Sequence, residues 1–275
     1  MAEWDGRAQG VSGSDLALLC TEGVVCQFGA LRALTDVSIT AMRGEVTALI
    51  GPNGAGKTTL LNIISGLTRL QGGRVRLGDQ EMTLWGPERR AMAGIARTFQ
   101  TPRLLDTEDV ATNIAVGCNP LGEPSWYQEL LNTRGARAAR RRDRLAVAEA
   151  MRILGIGSIA TRAVGGLPFA MRRLVELGRA LVGSPIVLML DEPAAGLESS
   201  QRTSLAALLR GLVQASEVAI LLIEHDIQFV TAVADSVFAL DFGMVIAHGA
   251  AGDVLADPAV RAAFLGIQAD PASGE

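Results

Sequence analysis

The run Gly51-Pro-Asn-Gly-Ala-Gly-Lys57-Thr58 sets three glycines, a lysine and a hydroxyl in the spacing G-x-x-x-x-G-K-[ST]. Glycines allow backbone N–H groups to turn inward around an oxyanion, the lysine adds a compact positive charge, and the threonine hydroxyl can hold a divalent cation. The chemistry this suits is the binding of nucleotide phosphates at the N-terminus of a helix. Of the 25 Lys and Arg residues in the chain, Lys57 is the one lysine. An ammonium on a flexible stem fits inside such a loop as a point charge, where a planar forked guanidinium is too wide.

Asp191 and Glu192 close the apolar run Ile186-Val-Leu-Met-Leu190. The run predicts a buried strand beside the one that feeds the phosphate loop, with Asp191 at its carboxyl end holding Mg²⁺ through water. Glu192 is then placed to orient or deprotonate an attacking water, since phosphoryl transfer rests on positioning and charge neutralisation. Without the loop upstream, the same pair is an ordinary acidic turn. His225 follows a second apolar run, VAILLIEHD. It shares an edge with Asp191 if both strands lie in one parallel sheet, and from there it can donate to a γ-phosphate. His248, in VIAHG, reads as a surface residue. Gln100, in ARTFQ, is a neutral amide able to touch Mg²⁺ or the water.

The elements that must position these groups follow from the patterning. Leu16 to Cys20, Val24 to Phe28, Leu34 to Ile39 and Val46 to Ile50 are short apolar stretches between glycine-containing turns, which predicts strands with hairpin-like connections. After the loop, Leu60, Leu61, Ile64 and Leu67 have helical period. From about Thr101 to Gly165 the chain turns helical and charged, and Arg134, Arg137, Arg140, Arg141, Arg142 and Arg144 crowd one segment. Beyond Gly183 the alternation of strand, helix and strand predicts parallel βαβ units in a doubly wound sheet.

Composition bounds the rest. The 275 residues suffice for one large α/β domain or two small ones. At 49% hydrophobic and a mean hydropathy of +0.29, disorder is excluded as an expectation, yet runs such as Val218 to Ile223 are strand-length and far below the roughly 20 residues of a spanning helix. The first residues, MAEWDGRAQG, carry no secretory pattern. Cys20, Cys26 and Cys118 lack metal-type spacing and fit reduced thiols. A net charge of −4 and a pI near 5.4 argue against a general nucleic-acid binder.

Taken together, the sequence resembles an ATP-binding-cassette (ABC) ATPase over about Leu16 to Gly266, with Walker A at Gly51 to Thr58, Q-loop Gln100, Walker B at Ile186 to Asp191, catalytic Glu192 and H-loop His225. The stretches FGALRALTDVS, IARTFQTPRLL, MLDEPAAGL, LLIEHDIQFV and DPAVRAAFLG are similar to the larger ATPase subunit of branched-chain amino-acid uptake systems. The resemblance implies a P-loop α/β core with a mostly parallel sheet, an N-terminal antiparallel β subdomain and a helical insertion subdomain. Residues 15–270 would form one cassette, with 15–100 and 175–270 as the ATP-binding core, 101–174 as the helical subdomain, 1–14 flexible and 271–275 a tail. It implies ATP and Mg²⁺ as cofactors. Gly51, Asn53, Gly54, Ala55, Gly56, Lys57, Thr58 and Thr59 would hold the phosphates, and Thr58, Gln100 and Asp191 the metal. Phe28 would be the aromatic stacking on adenine, a core phenylalanine being the other reading. Gly196, Leu197 and Glu198 would form the D-loop. Two cassettes would pair head to tail around two ATP molecules, each docking on a membrane-spanning permease served by a solute-binding protein, at the cytoplasmic face of the cell membrane.

Two positions depart from the family pattern. The signature, acting on the partner's nucleotide, falls on Leu167-Pro168-Phe169-Ala170-Met171. There Pro168 offers neither hydroxyl nor N–H, and Ala170 replaces a glycine that normally lets backbone approach a γ-phosphate. An asymmetric dimer, with a partner supplying a sound signature, is the expectation. Glu198 stands where a D-loop commonly has Asp or Asn, which alters cross-dimer contacts or is a solvated loop residue. The arginine run is a solvated helical face or a contact for anionic lipid. The competing functions are a regulatory cassette with little turnover and a soluble ABC ATPase outside transport; the latter is disfavoured by the acidic pI and the single cassette.

Overall fold

Strand β1 (Ala17–Phe28) and strand β2 (Leu31–Met42) form an antiparallel pair in which Phe28 faces Leu31 across the tip. The computed structural model describes residues 17–99, 103–118 and 134–265; the segments 1–14 and 271–275 and Gln100 lie outside them. Sequence patterning divides β1 in two at Gly23, but the strand is continuous. Gly23 takes a left-handed φ of 59°, and the pairing slips between Thr21 opposite Ile39 and Val24 opposite Val37. The glycine is therefore spent on a bulge within the ladder, not on a hairpin turn.

Two sheets follow. With β3 (Val46–Ile50), β4 (Gly72–Leu77), β5 (Gln80–Glu81), β6 (Ile95–Arg97), β7 (Val187–Asp191), β8 (Ala219–Ile223), β9 (Ser236–Asp241) and β10 (Met244–Gly249), the orders are β2-β1-β4-β5 and β10-β9-β3-β8-β7-β6. The first sheet is antiparallel at each pairing. In the second, β9, β3, β8 and β7 run parallel and β10 is antiparallel to β9. Strands β3, β7 and β8 are buried at every residue, as expected for parallel strands covered on both faces. The strand carrying Asp191 is not adjacent to the one feeding the phosphate loop: β8 lies between them.

The chain divides into two compact units, one of residues 1–95 and 186–275, the other of Ala96–Pro185. The insertion is thus wider at both ends than 101–174. In the first unit, Leu60, Leu61, Ile63 and Ile64 on the helix Lys57–Ile64 join a core with Leu49, Met189 and Leu221. That helix stops before Leu67, which is 55% exposed, because Gly66 turns left-handed at φ 78°.

The second unit contains the helices Val110–Ala115, Arg134–Ile153 and Phe169–Leu181. Asp109 caps the first, accepting from Thr112 N–H at 2.7 Å. Gly178 permits close helix packing, since a Cβ there would stand 2.9 Å from Ile114 Cδ1. Arg137, Arg140, Arg141, Arg142 and Arg144 are exposed while Val147, Ala150 and Met151 are buried, so this segment is an amphipathic helix with a solvated basic face. Among the described residues no helix is long and apolar enough to cross a membrane.

Candidate functional site

The phosphate loop leaves β3 at Gly51 and enters the helix Lys57–Ile64 through Gly56. Gly51 and Gly56 have φ of 144° and 100°, and neither has room for a side chain. A Cβ on Gly51 would lie 2.0 Å from Leu240 O; one on Gly56 would lie 2.7 Å from Ala33 O. The helix starts with no side-chain cap and no acidic residue in its first turn. Its first N–H groups and the positive end of its dipole therefore suit an anion. Asn53, Gly54 and Thr58 are exposed on this loop, Ala55 is buried and Thr59 is half-buried.

Lys57 is 8% exposed and folds back along the loop, its Nζ donating to Gly51 O at 2.7 Å and Pro52 O at 2.8 Å. Burial pulls this ammonium below the ordinary lysine range, and the carboxylates of Glu192 and Asp191 oppose that shift. The structure thus sets the loop's cation in the field of the acidic strand end, although the two are far apart in sequence. At the other end of the same helix, buried Arg90 donates to five carbonyls: Ile63 O, Ile64 O, Met82 O, Thr83 O and Trp85 O. A cation there complements the negative end of the helix dipole and satisfies its terminal acceptors.

Asp191 ends β7 opposite Ile223 of β8 and is 5% exposed. Glu192 follows with a left-handed φ of 50°, costly for a residue with a Cβ, and its N–H donates to Ile223 O at 3.0 Å. Because β7 and β8 are parallel neighbours, the residues that follow them emerge at one edge. His225 Nδ1 accordingly stands 3.8 Å from Glu192 Oε1, with the imidazole 60% exposed and the carboxylate 21%.

Sequence reasoning passed over Glu224, which is 1% exposed. Its Oε1 accepts from Ala194 N–H at 2.8 Å, and its Oε2 from His225 N–H at 3.1 Å and Asp226 N–H at 3.5 Å. Burial pushes this carboxyl above the ordinary glutamate range, opposed by those three N–H groups and by His225. The available signal was an ionisable residue at the end of a wholly apolar strand. Asp226 accepts from Phe229 N–H at 3.1 Å as the cap of the helix Ile227–Val233 and pairs with Arg202.

The residues expected from the sequence to form the D-loop run from Gly196, at φ 75°, into the helix Ser199–Ser216. Glu198 is neither a bare loop residue nor free in orientation. It forms a capping box with Gln201, whose Oε1 accepts Glu198 N–H at 3.0 Å. Phe28 is 52% exposed at the tip of β1, which excludes a core role. His248 is exposed, as expected, with its ring 5.4 Å from that of Phe238.

In the second unit, Pro168 is the N-cap of the helix Phe169–Leu181, which has no side-chain cap. Leu167 is buried, Ala170 half-buried, and Phe169 and Met171 are exposed at 46% and 38%. Farther along this helix, Glu176 Oε1 accepts from Phe99 N–H at 2.9 Å, and Arg173 donates to Phe99 O at 3.1 Å. The backbone immediately before Gln100 is thereby tied to the helix Phe169–Leu181 through the buried pair Arg173–Glu176.

A family model described as ABC transporter matches residues 34–195. The high-affinity branched-chain amino acid transport ATP-binding protein LivG of Salmonella typhimurium is 33% identical over 249 residues, covering 90% of this chain and 98% of that protein. BraF of Pseudomonas aeruginosa, which carries the same description, is 32% identical over 249 residues, again covering 90% and 98%. Among solved structures, the ADP conformation of MJ1267, an ATP-binding cassette of an ABC transporter, superposes with a TM-score of 0.80 at 31% identity, covering 92% of this chain and all of that one. A nucleotide-free cassette gives 0.78 at 32% identity. Phosphate loop, acidic strand end and His225 stand in one unit, and with these similarities the chain belongs to the ABC transporter family as an ATP-hydrolysing cassette.

Proposed function

We propose that this chain powers an importer for branched-chain amino acids or a related small polar solute, binding and hydrolysing Mg-ATP at the cytoplasmic face of the cell membrane. The observation that carries the reading is the convergence of Lys57, Asp191, Glu192 and His225 on one edge of the parallel sheet. The glycine loop at the helix N-terminus and Lys57 suit the β and γ phosphates, with Asn53, Gly54, Ala55, Gly56, Thr58 and Thr59 completing the cradle. The donor set also suits Mg²⁺, which commonly keeps several waters and takes few protein oxygens beside substrate phosphates. Thr58 and Asp191 would hold it; Gln100, the third ligand expected from the sequence, lies outside the described residues. When bound, the ion neutralises phosphate charge.

Glu192 serves as the base that orients and deprotonates water, and His225 donates toward the γ-phosphate. The exposed ring of Phe28 supports adenine stacking, since an apolar face in water gains by covering a base. The partners are a second cassette, permease subunits and, through them, a solute-binding protein. Replacing Glu192 by Gln should abolish hydrolysis while Mg-ATP affinity persists; unchanged turnover overturns the assignment.

A second reading, a cassette of low intrinsic turnover, is favoured by the signature alone. A proline cap, the methyl of Ala170 and exposed Met171 fit a γ-phosphate poorly. The dimer is then asymmetric, this chain's Walker site being completed by another chain's signature. ATP turnover measured with and without a second cassette of intact signature separates the readings: a fast, cooperative ATPase from this chain alone removes the asymmetric one.

A further inference from the structure

The geometry points to Glu224 as the positioning residue that fixes Glu192 and His225 relative to each other. Its carboxylate spans two loops: Oε1 takes Ala194 N–H at 2.8 Å from the loop after β7, and Oε2 takes His225 N–H at 3.1 Å from the loop after β8. Asp226 N–H, at 3.5 Å, adds a longer contact to Oε2. Its own N–H donates to Leu49 O at 3.3 Å, so the clamp is referenced to the strand that feeds the phosphate loop.

Only an acceptor with two oxygens on one rigid plane can do this. All the facing groups are N–H donors, so a glutamine would turn its NH₂ against one of them, and a serine or threonine would be too short to reach both loops. A carboxylate at 1% exposure is also an expensive way to satisfy backbone donors, because burial disfavours its charge. The strained neighbour explains what it holds. Glu192, at φ 50°, relaxes toward ordinary backbone geometry unless its loop is restrained. Its restraints include its own N–H on Ile223 O at 3.0 Å, Ala195 N–H on its carbonyl at 3.2 Å and, two residues on, Ala194 N–H on Glu224 at 2.8 Å, the one among these that a side chain supplies. The 3.8 Å between Glu192 Oε1 and His225 Nδ1 is thus framed by one buried side chain bonded to both loops.

The inference rests on the roles proposed for Glu192 and His225, and the test separates the two. In the full-length chain purified with its transporter partners, kcat, KM for ATP and Mg-ATP affinity are measured for wild type, Glu224→Gln, Glu224→Asp and Glu192→Gln. Misplacing a catalytic pair by a fraction of an ångström predicts a fall in kcat between about ten- and a hundredfold for Glu224→Gln, with KM and affinity within about twofold. Glu224→Asp keeps the charge but cannot span both loops, and falls likewise. Turnover of Glu224→Gln within twofold of wild type, while Glu192→Gln is inactive, overturns the role of Glu224 alone. Loss of nucleotide affinity together with kcat in both Glu224 variants overturns it as well, being the pattern of a general structural role. Full turnover in Glu192→Gln overturns the underlying reading of the site.

Discussion

His225 Nδ1 lies 3.8 Å from Glu192 Oε1, and the two residues follow neighbouring parallel strands. The imidazole is the more exposed partner, 60% against 21%, which leaves it room to turn toward a bound phosphate. Replacing His225 by Ala should lower kcat by about a hundredfold, the lower end of what a positioned proton-transfer group contributes, while Mg-ATP binding is preserved. Steady-state turnover beside equilibrium nucleotide titration checks this; parallel losses in both would place His225 in binding.

Lys57 is buried with Nζ on two loop carbonyls. A guanidinium keeps the charge but needs a wider slot, so Lys57→Arg should weaken Mg-ATP at least about tenfold, as expected when a point-charge site receives a planar fork. Calorimetric titration decides it, and near-native affinity defeats the steric argument.

Arg90 satisfies five carbonyls at the C-terminal end of the phosphate-loop helix and the turn beside it. Arg90→Met leaves these acceptors buried and unpaired, which should destabilise the fold by about 3 kcal/mol. Arg90→Lys should recover little of this, having one ammonium in place of a fork. Denaturant unfolding of the two variants provides the comparison.

Asp226 supplies the acid-side signature. Burial pushes its carboxyl up, but the Phe229 N–H and the Arg202 guanidinium together hold it below the ordinary aspartate range. With the folded value below the unfolded one, its contribution is complete above the unfolded value and is lost as pH falls through the folded one. Asp226→Asn keeps the capping oxygen but loses the charge that Arg202 and the helix N-terminus favour, so it should melt below wild type at neutral pH, by roughly 0.5–1 kcal/mol, and the gap should narrow on acidification. Thermal melts across pH 2–7 test the sign; a gap that widens toward acid refutes it.

Much of this site is local in the chain. A loop's φ angles, its inward N–H groups and the helix behind it are set by neighbouring residues, so Gly51 to Thr58 is legible before any fold is known. The runs ending in Asp191 and Glu224 announce buried strands because both faces must be apolar. Other features depend on partners distant in sequence. Gly23 could mark a turn or a bulge, and the pairing of β1 with β2 decided for a bulge. Glu198 could face a partner or water, and the start of the helix Ser199–Ser216 made it a cap.

The sequence alone determined the chemistry on offer: one lysine in a glycine loop, an acidic strand end, and a histidine after an apolar run. The tertiary structure decided their geometry. It inserted β8 between β3 and β7, bringing His225 to Glu192, and it buried Glu224 between their loops. The reason is physical: dihedral preferences and hydrophobic period act over a few residues, whereas strand order and the partners of a buried carboxylate are fixed only when distant segments pack.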